Sequence, residues 1–363
     1  MNKDPKISSI QIRALIVSTT IGVAVLSLPN NLSNILGKDG WIPIIIAGAL
    51  MIPLLLIINQ IFKQNPGKDY FEIGKENLGS IIFTLCFLIF LAYLVVYVSF
   101  VVRNLGELVK AFLLPTTPIE VIILIFILSI VYISSYEIDV IARYGYFVYP
   151  IIIGFVLLFL LVSLPTADFS NTLPSLQSDL TKIPIGIKEA FLSFAGFEII
   201  LFALPYVEDK EKALKSSIIA IITITLIYFS LFMMTLTQFS IEQIKSQAFP
   251  VLIVAKLVDL PGYFLQNLDN IFMSIWVIVV FATVAPAYFG AGKVLSKIFK
   301  TKSHRYFIWV LVPIIYKVSL MPEGFVELNE ILGTYLEILG FISILVIPLI
   351  IFIVGSVRRR IGK

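Results

Sequence analysis

The chain has 363 residues, 59% of them hydrophobic and only 14% charged, with a formal net charge of +4. A soluble protein carries about a quarter charged residues, so this composition excludes a water-soluble globular fold and indicates a polytopic membrane protein. One cysteine, Cys86, rules out an intrachain disulfide framework. One histidine, His304, set among lysines in a loop, argues against a histidine-built metal or acid–base centre.

Apolar runs of membrane-crossing length recur from end to end, and the pattern predicts ten spans. They run from Ser9 to Leu36, Trp41 to Phe62, Ser80 to Phe112, Pro118 to Ser135 and Ala142 to Leu164. After a long polar loop come Pro184 to Val207, Ser216 to Gln238, Gly262 to Gly290, Arg305 to Leu320 and Leu332 to Val354. With both termini in the cytoplasm, most of the 27 lysines and arginines fall on the inner side. The outer loops proper then hold only Lys38, Lys182 and Lys245, as the positive-inside rule requires. The polar N-terminus leads into the first helix without a small-residue cleavage site, so no signal peptide is expected. Inner segment Lys63 to Leu78 reads either as a short amphipathic helix anchored by Tyr70, Phe71 and Ile73, or as a solvated loop. The outer loop Phe239 to Pro261 has apolar residues spaced to fold back over the centre.

Two spans are irregular. The first contains TTIGVAVLSLP, Thr19 to Pro29; the sixth contains FLSFAGFEIILFALP, Phe191 to Pro205. Each has a glycine in its middle and a proline beyond, and each leads one half of the chain. Five spans precede the long central loop, Pro165 to Lys182, and five follow, so the second half enters the membrane from the opposite side. The reading is an all-α membrane protein, one membrane domain over 1–363, built as a five-plus-five inverted repeat of 9–164 and 184–354. Its first and sixth helices are interrupted at the midplane, where opened backbone is tolerated only if it lines a site.

The expected ligand site therefore comprises Thr19, Thr20, Gly22, Val23 and Ala24 from the first break and Phe194, Ala195, Gly196 and Glu198 from the sixth. Glu198 stands out because a carboxylate within an apolar span needs a partner, a proton or a ligand. Tyr93 and Tyr97 share a helix face four residues apart, and Tyr97 is placed deep enough to reach the centre. In the eighth span Ser274 is taken as a site residue, with Thr283 and Tyr288 as further polar candidates. Arg103 and Glu107 can pair, Lys317 needs a partner or snorkels, and Glu337 is either exposed or paired. No Ser–His–Asp set, phosphate loop or metal-ligand cluster is present, so neither enzyme catalysis, a cofactor nor a metal is expected, and the modest charge needs no nucleic-acid partner.

The phrases ISSIQIRALIVSTTIGVAVLSLP and FLSFAGFEIILFALPYV, the ten-span length and the basic C-terminus resemble the spore germination permease-like family. These are the B subunits of nutrient germinant receptors, within the amino acid–polyamine–organocation superfamily. The resemblance covers essentially the whole chain and implies a leucine-transporter-like fold. It also implies a location in the spore inner membrane, a small nutrient ligand such as an amino acid, and partnership with A and C subunits. Thr19, Thr20, Gly22 and Val23 match the family's unwound first helix, and Phe194, Ala195, Gly196 and Glu198 its unwound sixth. One departure is the Gly22-Val-Ala phrase, which lacks the second glycine of the permease pattern, so Ala24 leaves less room for a carboxylate. Two other readings stand beside a germinant sensor. One is a proton- or sodium-coupled amino acid or amine transporter, which would accumulate solute. The other is a scaffold without ligand, which a centre filled by Phe194, Phe197 and Tyr97 would favour.

Overall fold

The computed structural model describes residues 6–257 and 268–361, and among these the regular secondary structure is helical apart from one isolated bridge, Ile7 with Val207. The helices are α1 (Ser9–Thr20), α2 (Ala24–Leu36), α3 (Trp41–Gln64), α4 (Tyr70–Leu78), α5 (Ser80–Phe112), α6 (Ile119–Ser134) and α7 (Ile138–Ser163). After the central loop come α8 (Ile183–Leu192), α9 (Phe197–Tyr206), α10 (Lys210–Gln238), α11 (Ile241–Ser246), α12 (Pro250–Leu257), α13 (Leu268–Ile298), α14 (Arg305–Ser319) and α15 (Phe325–Arg360). Six stretches among the described residues are long and apolar enough to cross a membrane: Ala24–Gln64, Ser80–Phe112, Ile138–Thr166, Lys210–Gln238, Phe272–Ile298 and Phe325–Arg360. The protein is a multi-pass membrane protein. Leu85, Leu161 and Ile82 face outward from these helices, as lipid-facing side chains must.

Helix starts follow local chemistry. Ser8 caps α1 in a box with Gln11, and Asp69 caps α4 in a box with Glu72, each pair satisfying two orphan backbone amides. Segment 63–78 is thus a helix over its second half. Its Tyr70, Phe71 and Ile73 are buried against the protein, so they are core residues and do not anchor the segment in lipid. The eighth span expected to begin at Gly262 runs on to Ile298; its start falls outside the described residues. The last helix is helical from Phe325, with π-helical stretches at Asn329–Gly333 and Phe341–Val346.

α1 lies at the middle, packed by α7, α10 and α13, with α5 packed along α13. Its residues Leu15, Ile16 and Val17 are fully buried. Ile7 donates to Tyr206 O at 2.9 Å and accepts from Glu208 N at 3.2 Å, so the first residues before α1 are tied to the end of α9. At the opposite end the central loop is latched by Asp39, which accepts from the amides of Leu176, Gln177 and Ser178 at 2.7, 3.1 and 3.0 Å. Beyond α10 the described part of the loop is tied to α2, where Asn30 donates to Ile244 O and Lys245 O, both at 2.9 Å; its last residues, 258–261, lie outside the described residues.

Candidate functional site

The chain opens twice, between Thr20 and Ala24 and between Leu192 and Phe197. At the first break Ile21 turns to an extended conformation, φ −80 and ψ 94. At the second, Gly196 takes φ +101, a backbone region that glycine enters at little cost. The two breaks touch. A Cβ on Gly196 would lie 2.4 Å from Thr19 O, and one on Gly22 would lie 2.7 Å from Thr283 Cγ2.

Breaking a helix leaves its last carbonyls without intrahelical partners, and side chains from three other helices supply substitutes. The Thr283 hydroxyl on α13 sits 3.0 Å from both Ser18 O and Ile21 O and 3.2 Å from Val279 O. The Tyr228 hydroxyl on α10 is 2.7 Å from Ser193 O and 3.1 Å from Thr20 O. Tyr97 on α5 reaches Thr19 O and Ala195 O at a long 3.4 and 3.5 Å. Each hydroxyl carries one proton, so these three cannot serve all the carbonyls they approach. The centre holds more acceptors than donors, and the buried Thr20 hydroxyl has no partner.

Glu198 closes the second break on itself. Its Oε2 accepts from the Gly196 amide at 2.8 Å, and its Oε1 is 2.8 Å from the Tyr93 hydroxyl. Both carboxyl oxygens are engaged by the protein in this state, so a ligand reaches Glu198 only by exchange with these bonds. Phe194 and Phe197 are fully buried, and Phe194 meets Tyr228 edge-on at 5.5 Å. The centre is therefore filled and closed. Cavities of about 730 and 560 Å³ lie elsewhere, one between α3, α8 and α15 and the other between α5, α6, α7 and α13. Their linings are almost wholly aliphatic and aromatic, which suits acyl chains.

Of the residues expected from sequence, Thr19, Thr20, Gly22, Tyr97, Ala195, Gly196 and Glu198 converge on the breaks. Val23 is buried beside them, and Ala24 opens α2 half-buried. Ser274 is exposed on α13, more than two turns before Thr283, and it is Thr283 that meets the first break. Tyr228 was not singled out in the sequence, because a tyrosine within an apolar helix carries no local sign that it faces another helix's break. Nor was Glu189, which accepts from Asn31 at 2.6 Å and joins α8 to α2; its signal was a lone carboxylate in an apolar run. Arg103 pairs with Glu107 at 2.9 Å, Glu337 pairs with Lys188, and Lys317 is exposed in the last turn of α14.

The model of the spore germination protein family matches residues 6–327. The chain belongs to this family.

Germination proteins also supply its curated relatives. Spore germination protein B2 of Bacillus subtilis (strain 168) is 25% identical over 99% of this chain and 97% of its own length. Spore germination protein A2 of the same organism is 27% identical over 98% and 97%. Spore germination protein GerLB of Bacillus cereus is 24% identical over 99% and 96%. The fold is shared with solved transporters. Mhp1, a nucleobase-cation-symport-1 family transporter in a closed conformation, superposes with a TM-score of 0.67 at 15% identity, covering 94% of this chain and 78% of its own. A Na⁺-coupled sialic acid symporter gives 0.68 at 11% identity, over 94% and 80%. This member of the germination family therefore has a transporter fold, and the company it keeps is not enzymatic.

Proposed function

We propose that this germination protein is the nutrient-binding membrane subunit of a spore germinant receptor. It would act in the spore inner membrane with A and C subunits, and its ligand would be an amino acid or related small solute held between the two breaks. The observation that carries the reading is the surplus of carbonyl acceptors over hydroxyl protons where the breaks touch. An ammonium group brings three donors and positive charge, which is what such a cluster lacks. The residues of this site are Thr19, Thr20, Gly22, Val23, Ala24, Tyr97, Phe194, Ala195, Gly196 and Glu198, together with Tyr93, Tyr228 and Thr283.

The site is closed by its own tyrosines and phenylalanines, a filled centre that a scaffold without ligand would equally show, so ligand binding requires the centre to open. A ligand that binds an opened state better than the closed one shifts the balance between them, and a sensor needs nothing more. On this reading the chain crosses the membrane ten times, with repeats 9–164 and 184–354 inverted about the midplane and both termini in the cytoplasm. Cysteines introduced at Ser178 and Ser303 test the orientation: a membrane-impermeant thiol reagent added to intact cells should label the first and spare the second, and the reverse pattern overturns it.

The binding reading is tested by thermal unfolding of the purified protein against a panel of amino acids, amines and other small nutrients. A ligand at a hundred times its dissociation constant stabilises the native state by about 2.7 kcal/mol. Stabilisation by an ammonium-bearing solute, weakened in Gly22→Val, whose added branches occupy the ligand's volume at the first break, supports the site. A panel with no stabilising member, together with a centre that stays closed to introduced-cysteine labelling, leaves the scaffold role. Accumulation of a labelled hit against its gradient in proteoliposomes would make the protein a coupled transporter.

A further inference from the structure

Glu189 is a second carboxylate at membrane depth, and the contacts between the two breaks make no use of it. The half-helices α2 and α8 run antiparallel, with their contacts in register. A Cβ on Gly186 would lie 2.9 Å from Leu36 Cδ1, and Asn31 Nδ2 donates to Glu189 Oε1 at 2.6 Å. One turn further in, this register sets Ser27 level with Ser193, beside the breaks. Ser27 is four residues before Asn31 and Ser193 four after Glu189, so each shares the helix face that makes the contact.

Burial along α2 marks that face. Val25, Leu26, Leu28, Pro29, Leu32 and Ser33 are buried, whereas Ala24, Ser27, Asn30 and Asn31 are half-buried and Asn34 is exposed. Spacings of three and four residues put the second set on one stripe. It leads from the first break to the end of the molecule that carries the Asp39 latch. Asn31 is seven residues beyond Ala24, about 10 Å along the helix, inside the roughly 15 Å half-thickness of the hydrocarbon. At that depth carboxylate and amide side chains line a polar pathway and do not face lipid. α11 lies against the same stripe, since Asn30 donates to Ile244 O and Lys245 O.

The hydrogen bonds along the stripe leave acceptors over. A carboxylate only accepts, so Asn31 presents its Nδ2 to Glu189 and keeps its Oδ1. Among the described residues, Asn31 Oδ1 and Glu189 Oε2 have no hydrogen-bond partner, and no cation stands at ion-pair distance from Glu189. The neighbouring Lys188 is paired with Glu337. Asn30 Oδ1 accepts from Asn34 at 3.3 Å, and the Ser27 and Ser193 hydroxyls turn back to Ala24 O and Glu189 O at 3.3 and 3.5 Å. What remains is one uncompensated negative charge beside a carbonyl oxygen, between low-dielectric walls that focus its field.

We propose that Glu189 and Asn31 form a cation-selecting recognition point on the path to the breaks, where the ammonium group of a solute is taken before it reaches the centre. The ammonium donates to Glu189 Oε2 and Asn31 Oδ1 and leaves the Asn31–Glu189 bond intact. Passage on to Ser27 and Ser193 then requires α2 and α8 to part. The proposal deepens the nutrient-binding reading and rests on it for the chemistry of the ligand.

The test uses the full chain with Cys86→Ser as background, purified in nanodiscs of phosphatidylcholine, whose headgroup has no net charge. A cysteine is introduced by Ser27→Cys, inward of the recognition point, or by Asn34→Cys, outward of it. Each protein is reacted with two thiosulfonates, one bearing a trimethylammonium group and the other a sulfonate, and the rates are compared. At Ser27→Cys the cationic reagent should react about tenfold faster or more. Adding Glu189→Gln should abolish that preference, and adding Glu189→Asp should keep it. Glutamine still accepts from Asn31, so the tie between α2 and α8 survives and only the charge is lost. Methylammonium chloride in place of sodium chloride, at constant ionic strength, should slow the cationic reagent at Ser27→Cys and have no such effect once Glu189→Gln is added. A preference unchanged by Glu189→Gln, no reaction at Ser27→Cys where Asn34→Cys reacts, or equal rates in the two salts overturns the proposal. A nutrient panel without a stabilising member overturns only the central binding site, because charge selection at Ser27→Cys is measured without any nutrient.

Discussion

Substituting Gly196 by alanine should open the closed centre, and the structure sets the size of the effect. The added Cβ would stand 2.4 Å from Thr19 O and 2.9 Å from Thr19 C, both backbone atoms that cannot rotate aside. Reaching an ordinary 3.4 Å contact requires the two breaks to part by about 1 Å. The backbone at φ +101 adds about 1–2 kcal/mol for a residue with a side chain, and overpacking typically adds about 1–3 kcal/mol. The total, roughly 2–5 kcal/mol, is a large fraction of the stability of an ordinary domain. At Gly22 the added Cβ would meet a threonine methyl, and no left-handed backbone is involved, so only the overpacking cost of about 1–3 kcal/mol applies. Thermal unfolding of the purified variants should therefore rank Gly196→Ala below Gly22→Ala and both below wild type, with membrane abundance largely kept. The nutrient response should fail in the same order, and Gly196→Val should abolish it. A Gly196→Ala protein that unfolds at the wild-type temperature and responds normally would refute the contact between the breaks.

The bond between Glu198 and Tyr93 is open to a double-mutant cycle with Glu198→Gln and Tyr93→Phe. Coupling of about 1.5–3 kcal/mol is expected for a charge-assisted bond and about 0.5–1.5 for a neutral one, while additive effects would dismiss the bond. Glu198→Ala should be the more damaging substitution, because it also leaves the Gly196 amide without its acceptor. Asp39→Asn tests the latch on the central loop. Burial alone would raise the Asp39 pKa, yet the hydrogen bonds from segment 176–178 outweigh it and hold the carboxyl below its ordinary 3.8. A depressed folded-state pKa means the latch contributes fully above about pH 4 and fades as pH falls through the folded value. Wild type should therefore exceed the variant by about 1.5–3 kcal/mol at neutral pH, with the gap narrowing in acid; a gap independent of pH would exclude the charged latch.

Much of this protein is legible in one dimension. Hydropathy sets which segments are membrane-buried, because an unpaired backbone cannot stay in hydrocarbon and each span must satisfy itself as a helix. The breaks at 21–23 and 193–196 are also local: glycine, hydroxyl side chains and a lone carboxylate interrupt otherwise uniform apolar runs. Other features depend on what packs against what. Nothing near Tyr228 says that its hydroxyl caps carbonyls of both breaks, 208 and 35 residues away in sequence. Nothing near Thr283 distinguishes it from exposed Ser274 until α13 is laid against α1. Tyr70, Phe71 and Ile73 have the pattern of interfacial anchors, and only the packing of α4 against α5 and α15 decided that they are core. His304 reads as a loop histidine among lysines, yet the turn between α13 and α14 folds it under Phe289 and against Ser134 O. The physical reason is common to all four. Hydropathy and backbone preference are properties of a residue and its neighbours, whereas satisfying a broken helix end or burying a polar side chain needs partners that only the packed bundle brings within reach.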